Sequence, residues 1–77
     1  MPAAAALVSC ADKLHNSRAI LSDLREVGDD LWNRFTGKKD GTLWYYRSIV
    51  DAFDMTFPSR LTDELRRTVE EIERLAK

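Results

Sequence analysis

The segment from Ala11 to Arg18 contains the side chains whose types and spacing are most typical of a metal- or substrate-binding site. Asp12 and Asn16 are four residues apart, so on a helix they lie one turn apart on the same face. A carboxylate among small neighbours could ligate a metal ion, and the amide one turn on could donate to a sugar or phosphate oxygen. The same spacing is typical of the solvated polar face of an amphipathic helix, and spacing alone favours that second interpretation.

Three other groups of residues could also carry chemistry. Lys38 and Lys39 stand between two glycines and could bind phosphates from a mobile loop, although a solvated loop between helices explains them as well. Cys10 is expected to be a small buried thiol within a helix. Neighbouring aromatic residues could stack on a base or divide between core and surface; they are Trp44, Tyr45 and Tyr46.

Helices must position these residues. Ala3 to about Val27 is predicted as one long helix, because alanine is the best helix former and no glycine or proline interrupts before Gly28. Asp29 is expected to cap a short helix that runs to Phe35. The side of the long helix that faces the core is predicted to carry Leu7, Leu14, Leu21 and Leu24.

The second half of the chain predicts two more helices. Residues 36–41 are predicted as a loop, after which Thr42 caps a helix over residues 43–54. Residues 55–58 form a connection, since the residue before a proline avoids helical backbone. Ser59 or Thr62 is expected to cap the last helix. The apolar stripe of that helix comprises Leu61, Leu65, Val69, Ile72 and Leu75 or Ala76. The predicted fold class is therefore all-α, with one long N-terminal helix, a short helix and two further helices.

Length and composition limit what the chain can be. Its 77 residues suffice for one small domain, so residues 1–77 are taken as a single helical unit. Hydrophobic residues make up 44% and charged residues 32%, which is typical of a soluble globular protein. Twelve Lys and Arg against thirteen Asp and Glu exclude a generic polyanion-binding surface, though not a local basic patch, and we expect no nucleic acid as a partner. No run approaches the roughly 20 apolar residues that a membrane span needs, so we expect no membrane partner either. One cysteine excludes an internal disulfide framework, and we expect a cytoplasmic location.

Residues 11–16, Ala-Asp-Lys-Leu-His-Asn, followed by Arg18, resemble the last metal-binding motif of the HD-domain phosphohydrolases. The most similar branch is the stringent-response hydrolases of guanosine tetraphosphate. The stretch from Gly37 to Arg47 is similar to one in small bacterial HD proteins, where it follows the metal-binding helix. Together the two stretches extend the resemblance from about Ala4 to Ala76.

The resemblance implies roles for several residues. Asp12 would be a ligand of the metal, which is usually Mn²⁺ or another divalent cation in the complete family domain. Asn16 would contact the ribose or phosphate of the substrate. The remaining candidates for substrate contact are Lys13 and Arg18, which match the motif, and Lys38 and Lys39. The complete parent enzyme would use a metal-activated water to hydrolyse a diphosphate ester.

The chain departs from the family in the residues that would complete the site. Its one histidine, His15, belongs to the final motif. The upstream His, the His-Asp doublet and the acidic pair that would activate the attacking water are absent from the sequence. Asp12 offers one carboxylate, where a hard divalent cation takes about six ligands. We therefore expect the C-terminal part of an HD domain, inactive by itself and without a tightly bound metal, with a nucleotide as a partner of the parent enzyme only.

The alternative is a non-catalytic all-α module for oligomerisation or protein interaction. The Asp12 side of the first helix is rich in small apolar residues that the predicted helices leave uncovered: Ala4, Ala5, Val8, Ala11 and Ala19. Leaving about 300 Å² of apolar surface in water would forgo roughly 7 kcal/mol, comparable to the stability of so small a domain. We therefore expect a homo-oligomer formed through the first helix, in which Lys13 or Arg18 of another copy pairs with Asp12.

Overall fold

The computed structural model describes residues 3–76, and within that range the chain is helical and has no strand. Helix α1 spans Ala3–Val27, α2 spans Lys38–Thr56 and α3 spans Arg60–Leu75. A 3₁₀ helix over Gly28–Arg34 joins α1 to α2. The predicted all-α fold, with one long, one short and two further helices, is confirmed.

The end of α1 is determined by a glycine. Gly28 has a φ of 67°, in the left-handed region that favours glycine, and the chain leaves the α-helix there as predicted. The short helix that follows buries Leu31 and Trp32. The Trp32 indole Nε1 donates to the Asp29 Oδ1 at 3.3 Å, which anchors the aromatic ring to the start of the segment.

The connection into α2 is shorter than the sequence predicts. Helix α2 begins at Lys38, so the predicted loop over 36–41 is wrong in its second half. The amide of Gly41 donates to the carbonyl of Gly37 at 3.0 Å, and a Cβ on Gly37 would lie 3.0 Å from the Gly41 Cα. The absence of a side chain at Gly37 therefore permits a tight first helical turn, whereas a Cβ on Gly41 would meet no atom within 4 Å. Thr42 is 8% exposed and lies inside α2, so it is not the cap of that helix.

Helix α3 starts as predicted. The Ser59 Oγ accepts a hydrogen bond from the Thr62 amide at 3.1 Å, which caps the helix. The predicted apolar stripe is confirmed: Leu65, Val69, Ile72 and Ala76 are buried. Leu61 is half-buried and Leu75 is 37% exposed.

Helix α3 is the element on which the others pack. One core cluster joins Cys10 and Leu14 of α1 to Val50 and Phe53 of α2 through Leu65 and Val69 of α3. A second cluster joins α1, the 3₁₀ helix and α3 around Ile20, Leu24, Leu31, Trp32, Ile72 and Ala76. Helix α1 therefore runs parallel to α3, and α2 runs antiparallel to both.

The core-facing side of α1 differs in part from the prediction. Leu14 and Leu24 are buried and Leu21 is half-buried, but Leu7 is 51% exposed. Cys10 and Ser17, two small residues, are fully buried on this side of α1. The opposite side, which the sequence leaves uncovered, is exposed at Ala4, Ala5, Val8, Ala11, Asp12, Asn16 and Ala19. Among the described residues, no helix combines the length and the hydropathy that crossing a bilayer requires.

Candidate functional site

Asp12 and Asn16 lie together on an exposed side of α1. Both residues belong to the regular part of the helix, and the Asp12 side chain is 61% exposed. Their spacing of one helical turn places a carboxylate and an amide side by side on a rigid backbone. The arrangement provides one metal ligand and one hydrogen-bonding group, both open to a second molecule.

Lys13 connects this pair to helix α2. The Lys13 Nζ lies 3.9 Å from the Asp12 Oδ2 and 5.8 Å from the centre of the Tyr45 ring. Burial raises the pKa of the Tyr46 phenol, and the positive charge of Lys13 opposes that shift. An ion pair this long and this exposed stabilises the fold by little, so Lys13 remains able to contact another partner.

Arg18 lies on a different side of α1 from the Asp12–Asn16 pair. Its Nη2 donates to the Glu64 Oε2 of α3 at 3.0 Å. The structure therefore places Arg18 in a contact between α1 and α3 and does not bring it to Asp12. The sequence gives no sign of this contact, because the two partners are 46 residues apart.

Lys38 and Lys39 occupy the first turn of α2 and not the predicted loop. Lys38 is exposed and Lys39 is half-buried. In the part of the chain that the structure describes, no hydrogen bond or ion pair joins either lysine to Asp12 or Asn16. A cavity of about 240 Å³ lies beside this turn, and Tyr45 and Tyr46 line it but neither lysine does.

The described residues bring no group of three His, Cys, Asp or Glu side chains together in a way that could hold a metal ion. His15 is exposed and three residues from Asp12, so it lies about 60° round the helix from the Asp12 carboxylate. Asp12 suits a hard divalent cation through its oxygen atoms but supplies a single ligating group. A complete metal centre at Asp12 would need further ligands from another polypeptide segment.

An open groove between α1 and α2 is the feature that the sequence reasoning missed. Its volume is about 420 Å³, and all eight lining residues come from these two helices. Helix α1 contributes Ala6, Ser9 and Lys13, and α2 contributes Tyr45, Ile49, Ala52, Phe53 and Thr56. The signal in the sequence is a second stripe on α2 at helical spacing, running from Tyr45 through Ile49 and Ala52 to Thr56. Lys13, which neighbours Asp12, is the charged residue among those that line the groove.

Comparison of the chain with protein-family models, with curated proteins and with solved structures finds no match.

Proposed function

We propose that this chain is part of an HD-type metal-dependent phosphohydrolase, in which α1 supplies the last metal ligand. The observation that carries the proposal is the exposed pair of Asp12 and Asn16, one turn apart on a rigid helix. Their nearest charged neighbour, the Lys13 Nζ, is 3.9 Å from the carboxylate. This separation leaves the Asp12 oxygens free for a stronger partner.

In this role each residue has a defined task. Asp12 binds the divalent metal, which supplies a Lewis acid that activates water when it is bound. Asn16 donates to a ribose or phosphate oxygen of a nucleotide diphosphate ester such as guanosine tetraphosphate, and Lys13 neutralises phosphate charge. The remaining ligands come from a polypeptide segment with the upstream His and the His-Asp doublet, so the chain by itself is inactive. The buried, unpaired Cys10 supports a reducing, cytoplasmic location.

Reconstitution tests this proposal. The chain is mixed with a polypeptide that carries the His and His-Asp motifs of an HD domain, and pyrophosphate release from guanosine tetraphosphate is measured with Mn²⁺. We expect activity in the mixture and in neither component alone. Asp12→Asn should abolish the activity, whereas Glu26→Gln, a matched change at an exposed acid near the end of α1, should leave it unchanged. An Asp12→Asn variant that reconstitutes normally would contradict the proposal.

A second candidate function is a non-catalytic helical interaction module. The groove between α1 and α2 favours it, because apolar surface stands exposed there: Tyr45, which lines the groove, is 45% exposed, and Met55, the neighbour of the groove residue Thr56, is 86% exposed. This function requires assembly and no reaction. Failure of the reconstitution, together with assembly that depends on groove residues, would support it over the hydrolase.

A further inference from the structure

We propose that the groove between α1 and α2 is the contact surface for a second copy of this chain. The inference rests on the second candidate function, the interaction module, and names its partner. It does not depend on any metal or substrate at Asp12.

The shape of the groove suits a partner built from helices. Along α2 it runs from Tyr45 to Thr56, which is about 16 Å at 1.5 Å per residue. Small side chains at Ala6, Ser9 and Ala52 keep it open enough for an apolar side chain of another molecule to enter. Helix α3 contributes none of its lining residues, so the groove opens on the side of the molecule that α3 leaves uncovered.

Met55 is the side chain that best fits the groove of a second copy. It lies three residues after Ala52 and directly before Thr56, two groove residues, yet it is 86% exposed and does not line its own groove. Methionine is unbranched and flexible, which lets it fill an irregular apolar space. In a two-fold pair the same contact occurs twice, because Met55 of each copy enters the groove of the other.

The charges at the edge of the groove favour a second copy over a partner of different composition. Asp12 and Lys13 stand side by side at this edge, 3.9 Å apart. When two such edges meet antiparallel across a two-fold axis, each Lys13 faces the Asp12 of the other copy. Arg18 is already paired with Glu64, which leaves Lys13 as the cation for this contact. The formal net charge of −1 adds little repulsion between copies.

Sedimentation velocity over a range of concentrations up to high micromolar tests the proposal. We expect a dimer, with Met55→Glu weakening the association at least tenfold. The matched control is Val27→Glu, which places the same acid at an exposed apolar site at the far end of α1 and should associate like the parent chain. Circular dichroism of each variant establishes that it is folded.

A charge swap gives the sharper test. Lys13→Glu should weaken the dimer, and so should Asp12→Lys. The double variant, Asp12→Lys with Lys13→Asp, should restore association, because two swapped edges are again complementary.

Two results would overturn the proposal: a folded monomer at every concentration, and a dimer that Met55→Glu leaves intact. If the chain is a monomer, shifts of the Ile49 and Ala52 signals on titration with decanoate would assign the groove to a small amphiphile. None of these measurements involves hydrolysis, so they are separate from the test of the hydrolase proposal.

Discussion

Cys10 lies in the contact between α1 and α3. Its side chain is fully buried, and its Sγ lies 3.8 Å from the Thr62 Oγ1. Burial raises the pKa of the thiol, and the hydrogen bond with Thr62 opposes that shift. The neutral thiol therefore acts as a small core residue, as its position in an alanine-rich helix predicts, and it is a poor nucleophile in the folded chain.

The raised pKa of Cys10 predicts how stability depends on pH. The folded chain keeps the thiol proton to a higher pH than the unfolded chain does. The free energy of unfolding should therefore stay constant up to about pH 8.5, where an exposed thiol ionises. It should then fall as the pH rises through the pKa of the thiol in the folded chain. Urea denaturation across this range checks the prediction.

Two controls accompany the pH series. The free energy of unfolding of Cys10→Ala should fall less steeply with rising pH than that of the parent chain. Part of the remaining fall should come from Tyr46, because burial also raises the pKa of its phenol. Rapid alkylation of Cys10 in the native chain at neutral pH would contradict the placement of the thiol in the core.

Asp12 carries a prediction about metal affinity. Because the described residues offer Mn²⁺ one exposed carboxylate at this position, the chain alone should bind Mn²⁺ more weakly than micromolar. Isothermal calorimetry measures this affinity directly. Micromolar or tighter binding that Asp12→Asn removes would mean that a second copy contributes ligands, and binding that Asp12→Asn leaves unchanged would place the ion elsewhere.

The start of α3 depends on a single hydroxyl. Ser59 caps the helix through the Thr62 amide, so Ser59→Ala should lower the free energy of unfolding by about 1 kcal/mol. Ser22→Ala is the control: Ser22 is exposed within α1, where alanine is a better helix former, and the change should be neutral or slightly stabilising. Equal stability of the two variants in urea denaturation would show that the cap contributes nothing.

The helix boundaries that the sequence predicts correctly are those that local chemistry determines. Gly28 ends α1 through its left-handed backbone, and Ser59 starts α3 through its side chain. The start of α2 is different. Gly37 and Gly41 are typical of a loop in sequence, yet one helical turn closes between them, because Gly37 has no side chain to meet the Gly41 backbone. Thr42, which the sequence predicts as the cap, lies buried inside this helix.

The candidate site divides in the same way between local and long-range features. The shared face of Asp12 and Asn16 follows from helical spacing, and the structure shows it. The contact of Arg18 with Glu64 and the groove itself depend on how α1 and α2 separate as they pack on α3. Sequence periodicity gives the buried side of each helix but not the angle between two helices, so neither feature could be derived from it.

In the molecule as a whole, ion pairs join α3 to α1 and to α2. Arg18 pairs with Glu64 across the α1 contact, and the Arg47 Nε donates to the Glu73 Oε2 across the α2 contact at 3.1 Å. The Glu73 carboxylate raises the pKa of Arg47 through this hydrogen bond. The Arg18–Glu64 pair is exposed, and a pair of that kind contributes about 0–1 kcal/mol, whereas the part-buried Arg47–Glu73 pair is joined by two hydrogen bonds. The stability of the fold therefore comes mainly from the apolar side of α3.

Truncation of Leu65 is expected to unfold the whole chain. It is fully buried in the cluster that joins α1, α2 and α3. Leu65→Ala should lower the free energy of unfolding by about 2–5 kcal/mol. The core of a chain this short contributes only about 3–5 kcal/mol of stability, so the variant should be largely unfolded. Circular dichroism measures the loss of helix. Leu75→Ala, the same change on the same helix at a side chain that is 37% exposed, should retain the parent spectrum and midpoint within a few degrees. A Leu65→Ala variant as stable as Leu75→Ala would mean that α3 does not hold the other helices together.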